Sequence, residues 1–154
     1  MYNEIEIHRT NATAKANRLV HHWRIVINYS ERDIWEVLCR RGVRPPPVYI
    51  CGWNRFSCRM CIFSLPKHWA GIKELFPDEY RAFREDEIRL GFTLDNKKNL
   101  DEYIAGVESC VDYSDEKAIK QLITGEFSVD DVYCAPDKWR FPSGAFQGGH
   151  GGPC

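Results

Sequence analysis

Three consecutive prolines, Pro45-Pro-Pro47, set the tightest limit on what this chain can fold into. Proline fixes φ and lacks an N–H, and the residue before a proline avoids the helical region. Arg44–Pro47 is therefore expected to run extended. The run leads directly into Tyr49-Ile-Cys-Gly-Trp-Asn-Arg-Phe-Ser-Cys-Arg-Met-Cys-Ile-Phe63, which holds three of the seven cysteines, Cys51, Cys58 and Cys61. Cys58 and Cys61 form a C-x-x-C pair. Two thiols at that spacing can point at one soft metal or close on each other as a redox disulfide.

With 154 residues the chain has room for one domain with a real core. The five tryptophans suit a core or pocket built from large flat side chains. A net charge of -1 excludes a generic nucleic-acid coat, which needs a basic excess, although a local basic patch is compatible with it. No apolar run approaches the roughly 20 residues needed to span a bilayer. The polar Met1–His8 segment lacks the apolar region of a signal peptide, so the expectation is a cytoplasmic protein with no membrane partner. In a reducing compartment seven cysteines are not a disulfide framework, and the odd count points the same way. Metal or redox chemistry then accounts for the clustered cysteines, while Cys39 and Cys110 fall in helical patterns as small core hydrophobes.

Hydrophobic periodicity predicts helices over Glu31–Arg41, Trp69–Phe76, Asp78–Leu90, Asn99–Glu108 and Ser114–Thr124. Ser30 and Asp33 make a capping-box start for the first, and Gly42, Gly91 and Gly125 are stops. Short strands are expected at Glu4–His8, Arg24–Asn28 and Val129–Tyr133. The fold class this implies is mainly α with short strands (α+β): a small single-domain helical module around a cysteine loop, packed on Trp35, Phe63, Trp69, Phe83 and Tyr103. Three regions follow from composition: an N-terminal segment 1–19, a helical module 20–128 containing the cysteine loop 49–63, and a glycine-rich tail 129–154. Five of the eleven glycines lie after residue 143, so the tail should be flexible unless something clamps it.

Cys58 and Cys61 are the foremost candidate metal ligands, for an iron–sulfur cluster or for zinc. Both usually need four donors, which Cys51, Cys134 and Cys154 could complete. Unliganded cysteines at a helix start, or a redox pair, are the competing readings. Arg55 and Arg59 flank the pair and could hold an anionic substrate or compensate cluster charge; a solvated face is the plainer alternative, as it is for Lys67. His68 could be a ligand or proton donor, or a surface residue. Phosphate-cradling loops of the G-x-x-x-x-G-K-[ST] and G-x-G-x-x-G types are absent, as are G-x-S-x-G and H-E-x-x-H.

Three segments carry a resemblance. Trp23-Arg-Ile-Val-Ile-Asn-Tyr-Ser-Glu-Arg-Asp-Ile-Trp35 resembles the W-x-P-I-x-x-W-[ST]-x-x-x-[VI]-W segment of phosphoadenosine phosphosulfate (PAPS) reductase-like proteins, with Val26 for the proline and Tyr29 for the second tryptophan. Pro47–Phe63 resembles their P-x-Y-x-x-G-x-x-R-x-[SG]-C-x-x-C-x-F segment. Trp139-Arg-Phe-Pro-Ser-Gly-Ala-Phe146 and the Gly-Pro-Cys end resemble the tail of phage- and prophage-type members, related to DNA phosphorothioation sulfurtransferases. The similarity covers about residues 18–154. Members begin with an ATP-pyrophosphatase-type nucleotide-binding domain and its S-G-G-K-D-S-like loop, which is absent here. The resemblance therefore implies a C-terminal module. It would work with such a domain or chain in sulfur transfer or sulfonucleotide reduction, and would be inactive as oxidoreductase or sulfurtransferase alone. It implies a [4Fe–4S] cluster on Cys58 and Cys61, with Cys51 and Cys154 as completing ligands. It also implies a role for Cys154 as a tail nucleophile and, as partners, DNA or a redox or sulfur donor protein.

Overall fold

A computed structural model describes residues 6–8, 20–22, 25–56, 58–95 and 97–148, with side chains from residue 25 onward. Two three-residue strands, β1 (Glu6–His8) and β2 (Val20–His22), pair antiparallel with Ile7 opposite His21. Among the described residues six helices come after them: α1 (Glu31–Arg40), α2 (Pro47–Ile50), α3 (Pro66–Leu75), α4 (Pro77–Leu90), α5 (Leu100–Tyr103) and α6 (Glu116–Thr124). A single 3-10 turn, Val129–Val132, lies beyond α6.

The expected α+β class is corrected: the protein is a mainly α module. No strand supports its core among the described residues. Ile25–Asn28, expected as strand, is a turn closed by the Tyr29 N–H on the Val26 carbonyl at 3.0 Å. Its apolar side chains lie exposed, because alternation makes a strand only where a neighbour takes up the backbone. Val129–Val132 winds into the 3-10 turn because the Asp131 carboxylate accepts from the Ser128 N–H at 2.8 Å. That local bond competes with extended pairing. Only an isolated bridge, Val43 to Tyr133, survives there.

The helices are set by their ends. The Asp33 carboxylate accepts from the Ser30 N–H at 2.8 Å, and the Ser30 hydroxyl accepts from the Asp33 N–H at 3.2 Å, a complete capping box for α1. α4 starts on Pro77 and stops at Gly91, whose φ of 68° is open to glycine. α6 is capped by Asp115, whose carboxylate accepts from the Ala118 N–H at 2.9 Å. The proline run is extended only to Pro46. Pro47 opens α2, the helix position that tolerates a missing N–H.

Two apolar clusters form the interior. The larger joins Trp69 and Ile72 of α3, Tyr80 of α4, Leu100 of α5 and Ala118 of α6 to Cys51 and Trp53 of the cysteine loop. The smaller joins Trp35 of α1 to Trp139 and Ala145 of the tail. Phe63, expected in the core, is largely exposed, whereas Phe83 and Tyr103 pack against the larger cluster.

The tail, where described, is clamped rather than free. Cys134 donates its N–H to the Gly42 carbonyl at 2.8 Å, and Trp139 Nε1 donates to the Val43 carbonyl at 2.8 Å. Gly144 donates its N–H to the Tyr49 carbonyl at 2.8 Å. A Cβ at Gly144 would stand 1.8 Å from the Trp53 carbonyl oxygen, so only glycine permits this approach. Asn54 Nδ2 then reaches the Gly148 carbonyl at 2.8 Å. Residues 133–148 thus strap α1, α2 and the Trp53 turn together.

Candidate functional site

The cysteine loop crosses from the interior to the surface within ten residues. Cys51 caps α2 and is fully buried (0% exposed) in the larger cluster, where burial pushes its thiol up to about 12. Gly52, at φ 104°, lies so close to Cys110 that a Cβ would meet the Cys110 carbonyl oxygen at 1.9 Å. Burial raises the Cys110 thiol to about 12 as well. Neither thiol ionises near neutral pH, and both behave as core side chains. Cys58 is exposed and Cys61 is half-buried, on consecutive turns before α3. The loop therefore separates its cysteines: Cys51 belongs to the core, Cys58 is exposed and Cys61 is half-buried.

Among the described residues no three His, Cys, Asp or Glu side chains converge as a metal site. Cys51 is not brought together with Cys58 and Cys61. The described residues alone do not supply a four-donor metal site: no third donor joins Cys58 and Cys61 among them. Cys134 packs against the Trp35–Trp139 cluster, its Sγ 3.5 Å from the Ala135 carbonyl. Cys154 and His150 lie outside the described residues.

Beside the exposed turn opens a cavity of about 670 Å³. Pro47, Trp53, Ile72 and Phe76 form its deep wall, Leu122 of α6 closes one side, and Phe56, Cys58 and Phe127 stand at its mouth. Arg55 and Arg59, the expected anion-binding residues, both line it. Arg59 lies over the Phe76 ring at 3.8 Å and pairs with Glu79 of α4. Lys67 is drawn away from this mouth to the side-chain oxygen of Gln147.

Sequence reasoning missed Arg44 and Gln121. Arg44 donates to Gln121 Oε1 at 2.7 Å and to Asp115 at 2.9 Å, joining the proline run to α6 along the cavity wall. This fixes the Gln121 amide, since a flip would set N–H against guanidinium; Gln121 Nε2 is left buried without a partner. A lone arginine before a proline run and a glutamine inside a helix carry no local signal of this contact.

His68, expected as ligand or surface residue, is fully buried on α3. Its ring stacks on Trp53 at 6.4 Å, and its Nδ1 accepts from the Leu65 N–H at 3.3 Å. Burial, helped by Lys67 and Arg55, lowers its pKa to about 4. It is a neutral structural residue at neutral pH.

No family model matches the chain, and no solved structure matches it. The chain is similar to an uncharacterized 37.8 kDa protein in the gpa 5' region of Escherichia phage 186. The two are 29% identical over 68 residues, which is 44% of this chain and 20% of that protein. The matched stretch thus spans a fifth of the relative's length. No helix among the described residues is long and apolar enough to cross a membrane.

Proposed function

We propose that the chain is a PAPS-reductase-like C-terminal module that contributes Cys58 and Cys61 to an iron–sulfur cluster of the 4Fe–4S type. The cluster would lie at a seam shared with a nucleotide-binding domain or chain, in the service of sulfur transfer or sulfonucleotide reduction. The observation that carries the reading is the division of the loop: Cys51 is sealed in the core, while Cys58 is exposed on the cavity side with Arg55 and Arg59, and Cys61 is half-buried three residues on. Two thiols outside the core, with no third metal donor joining them among the described residues, suit a ligand set completed from elsewhere. Cys154 is one source. The Gly148 carbonyl is held at Asn54, and six further residues reach up to about 20 Å. A cluster would bring the redox chemistry; this chain's part is to hold it and to set guanidinium groups beside it. Cys39, Cys51, Cys58, Cys110 and Cys134 are free thiols, which supports a cytoplasmic setting.

A second reading, an interaction module with zinc or no metal, draws on the exposed Phe56, Ile62 and Phe63 around the same turn. Anaerobic purification with iron, sulfide and zinc analysis separates the two. Iron and sulfide together are expected, lost in Cys58→Ser and Cys61→Ser and kept in Cys110→Ser. Stoichiometric zinc without sulfide moves the assignment to the second reading. Cluster content unchanged in Cys58→Ser overturns the ligand assignment.

A further inference from the structure

We infer that the cavity between the proline run and α6 is a binding site for an uncharged, largely apolar molecule that carries a carbonyl, of the secondary-amide class. The inference stands on the cavity and on Gln121, and not on the cluster. The volume of about 670 Å³ falls within the roughly 300–1,000 Å³ of small-molecule sites. Trp53, Ile72 and Phe76 supply broad apolar wall, which suits a ligand whose body is mostly apolar.

Two groups in the lining set what that body must carry. Gln121 is buried, and its Oε1 accepts from Arg44 Nη1 at 2.7 Å. That bond fixes the amide, so Nε2 is a donor held in place, buried and without a partner. A buried donor with no acceptor destabilises the fold, and a ligand carbonyl removes that cost. Ser64 is also buried in the lining, and its hydroxyl accepts as well as donates, so an N–H on the same ligand is tolerated. The charged side chains set the ligand's charge. Arg44 also donates to Asp115 at 2.9 Å, Arg59 pairs with Glu79 and lies over the Phe76 ring, and Asp131 pairs with Lys117. Arg55 is engaged as well. These groups are already taken up within the chain, and a charge brought into apolar surroundings without a partner is unfavourable. The ligand that fits is therefore neutral.

The test uses the full chain as purified and reads binding by calorimetry. The probe is N-phenylbutanamide; N-butylaniline is the same skeleton with the carbonyl replaced by a methylene, and 4-phenylbutanoate carries a carboxylate instead. Saturable binding of N-phenylbutanamide is expected. N-butylaniline should bind about tenfold more weakly, the factor that one hydrogen bond to a buried donor supplies, and 4-phenylbutanoate more weakly than the amide. Gln121→Glu keeps an oxygen for Arg44 and removes the donor, so its affinity for the amide should fall to that for N-butylaniline. Leu122→Trp, which fills the interior, should abolish binding of both. The ratio of amide to amine on the unaltered chain carries the test even where a variant fails to fold. Absence of saturable amide binding, equal affinity for the amine, tighter binding of 4-phenylbutanoate, or a preference for the amide that survives Gln121→Glu would each overturn the proposal. None of these readouts depends on iron content, so loss of the cluster assignment leaves the result interpretable.

Discussion

His68 carries no charge in the folded protein at neutral pH, and it adds a pH dependence to stability. Its Nδ1 accepts a hydrogen bond from Leu65, which places the ring proton on Nε2, and Nε2 has no partner. Protonating the ring would both desolvate a cation and turn the acceptor into a donor. In the unfolded chain the imidazole takes up a proton below its ordinary value of 6.5, whereas in the folded chain it does so only below about 4. Between these values the unfolded state binds more protons, so stability rises with pH and is lost as pH falls through the window. The full effect is on the order of 3 kcal/mol. Urea unfolding at pH 7 and pH 4.5 should show this fall, and in His68→Gln the fall should be smaller by about 2 kcal/mol. An unchanged difference between the two pH values in the variant would show that His68 titrates normally in the fold.

At the scale of elements, Glu87 shows how α4 organises the segment between itself and α5. Its spacing with Tyr80 and Phe83 puts it on the inward face, and it is buried there. Its two oxygens accept from the Leu94 N–H at 2.8 Å, the Leu100 N–H at 3.1 Å and Arg84 Nη1 at 2.9 Å. One carboxylate thereby fixes the turn after Gly91 and the start of α5. Glu87→Ala would leave two amide hydrogens and a guanidinium without their acceptor. A loss of about 2–4 kcal/mol is expected, with faster hydrogen exchange at Leu94 and Leu100. Glu87→Gln keeps one acceptor and should lose less; equal losses in the two variants would mean that packing, not hydrogen bonding, is what Glu87 supplies. This contact also marks where sequence reading stops. The bounds of α1, α4 and α6 were legible because caps and apolar period are local signals. α5 was read as far as Glu108, but it ends at Tyr103 and its chain turns at Gly106, where φ is 70°. Leu100 and Ile104 are buried by α3 and α4 rather than by a continued helix face. The apolar period was real, but tertiary packing took it up in a single turn.

At the scale of the whole molecule, the tail decides whether the cysteine loop has a fixed shape. The turn bearing Cys58 and Cys61 was legible from its spacing, but the partition that buries Cys51 was not. It arises from contacts such as Gly52 on Cys110 and Gly144 on Trp53, between residues far apart in sequence. A glycine-rich segment read locally looks free; here the glycines are what allow close approach. Trp139 anchors the strap through burial against Trp35 and through the 2.8 Å bond from its Nε1 to Val43. Further along, Arg32 of α1 lies over the rings of Phe141 and Phe146 at 5.3 and 5.0 Å. Phe146 adopts φ 61°, a conformation a bulky residue accepts only when its surroundings impose it. The imposing contact is its N–H donated to Glu31 Oε1 at 2.9 Å, the same oxygen that accepts from Trp35 Nε1 at 3.0 Å. Trp139→Ala should therefore loosen the strap as a unit. The expected loss is about 3–5 kcal/mol, the range for removing a buried tryptophan. Alkylation of Cys51, sealed in the intact protein, should become measurable at denaturant concentrations below the global unfolding midpoint. Trp139→Phe, which keeps the ring volume in part and gives up the bond to Val43, should lose about 1–2 kcal/mol and leave Cys51 protected. If Cys51 in Trp139→Ala becomes reactive only as the whole chain unfolds, the strap and the helical core are one cooperative unit, and the tail is not a separable clamp on the cysteine loop.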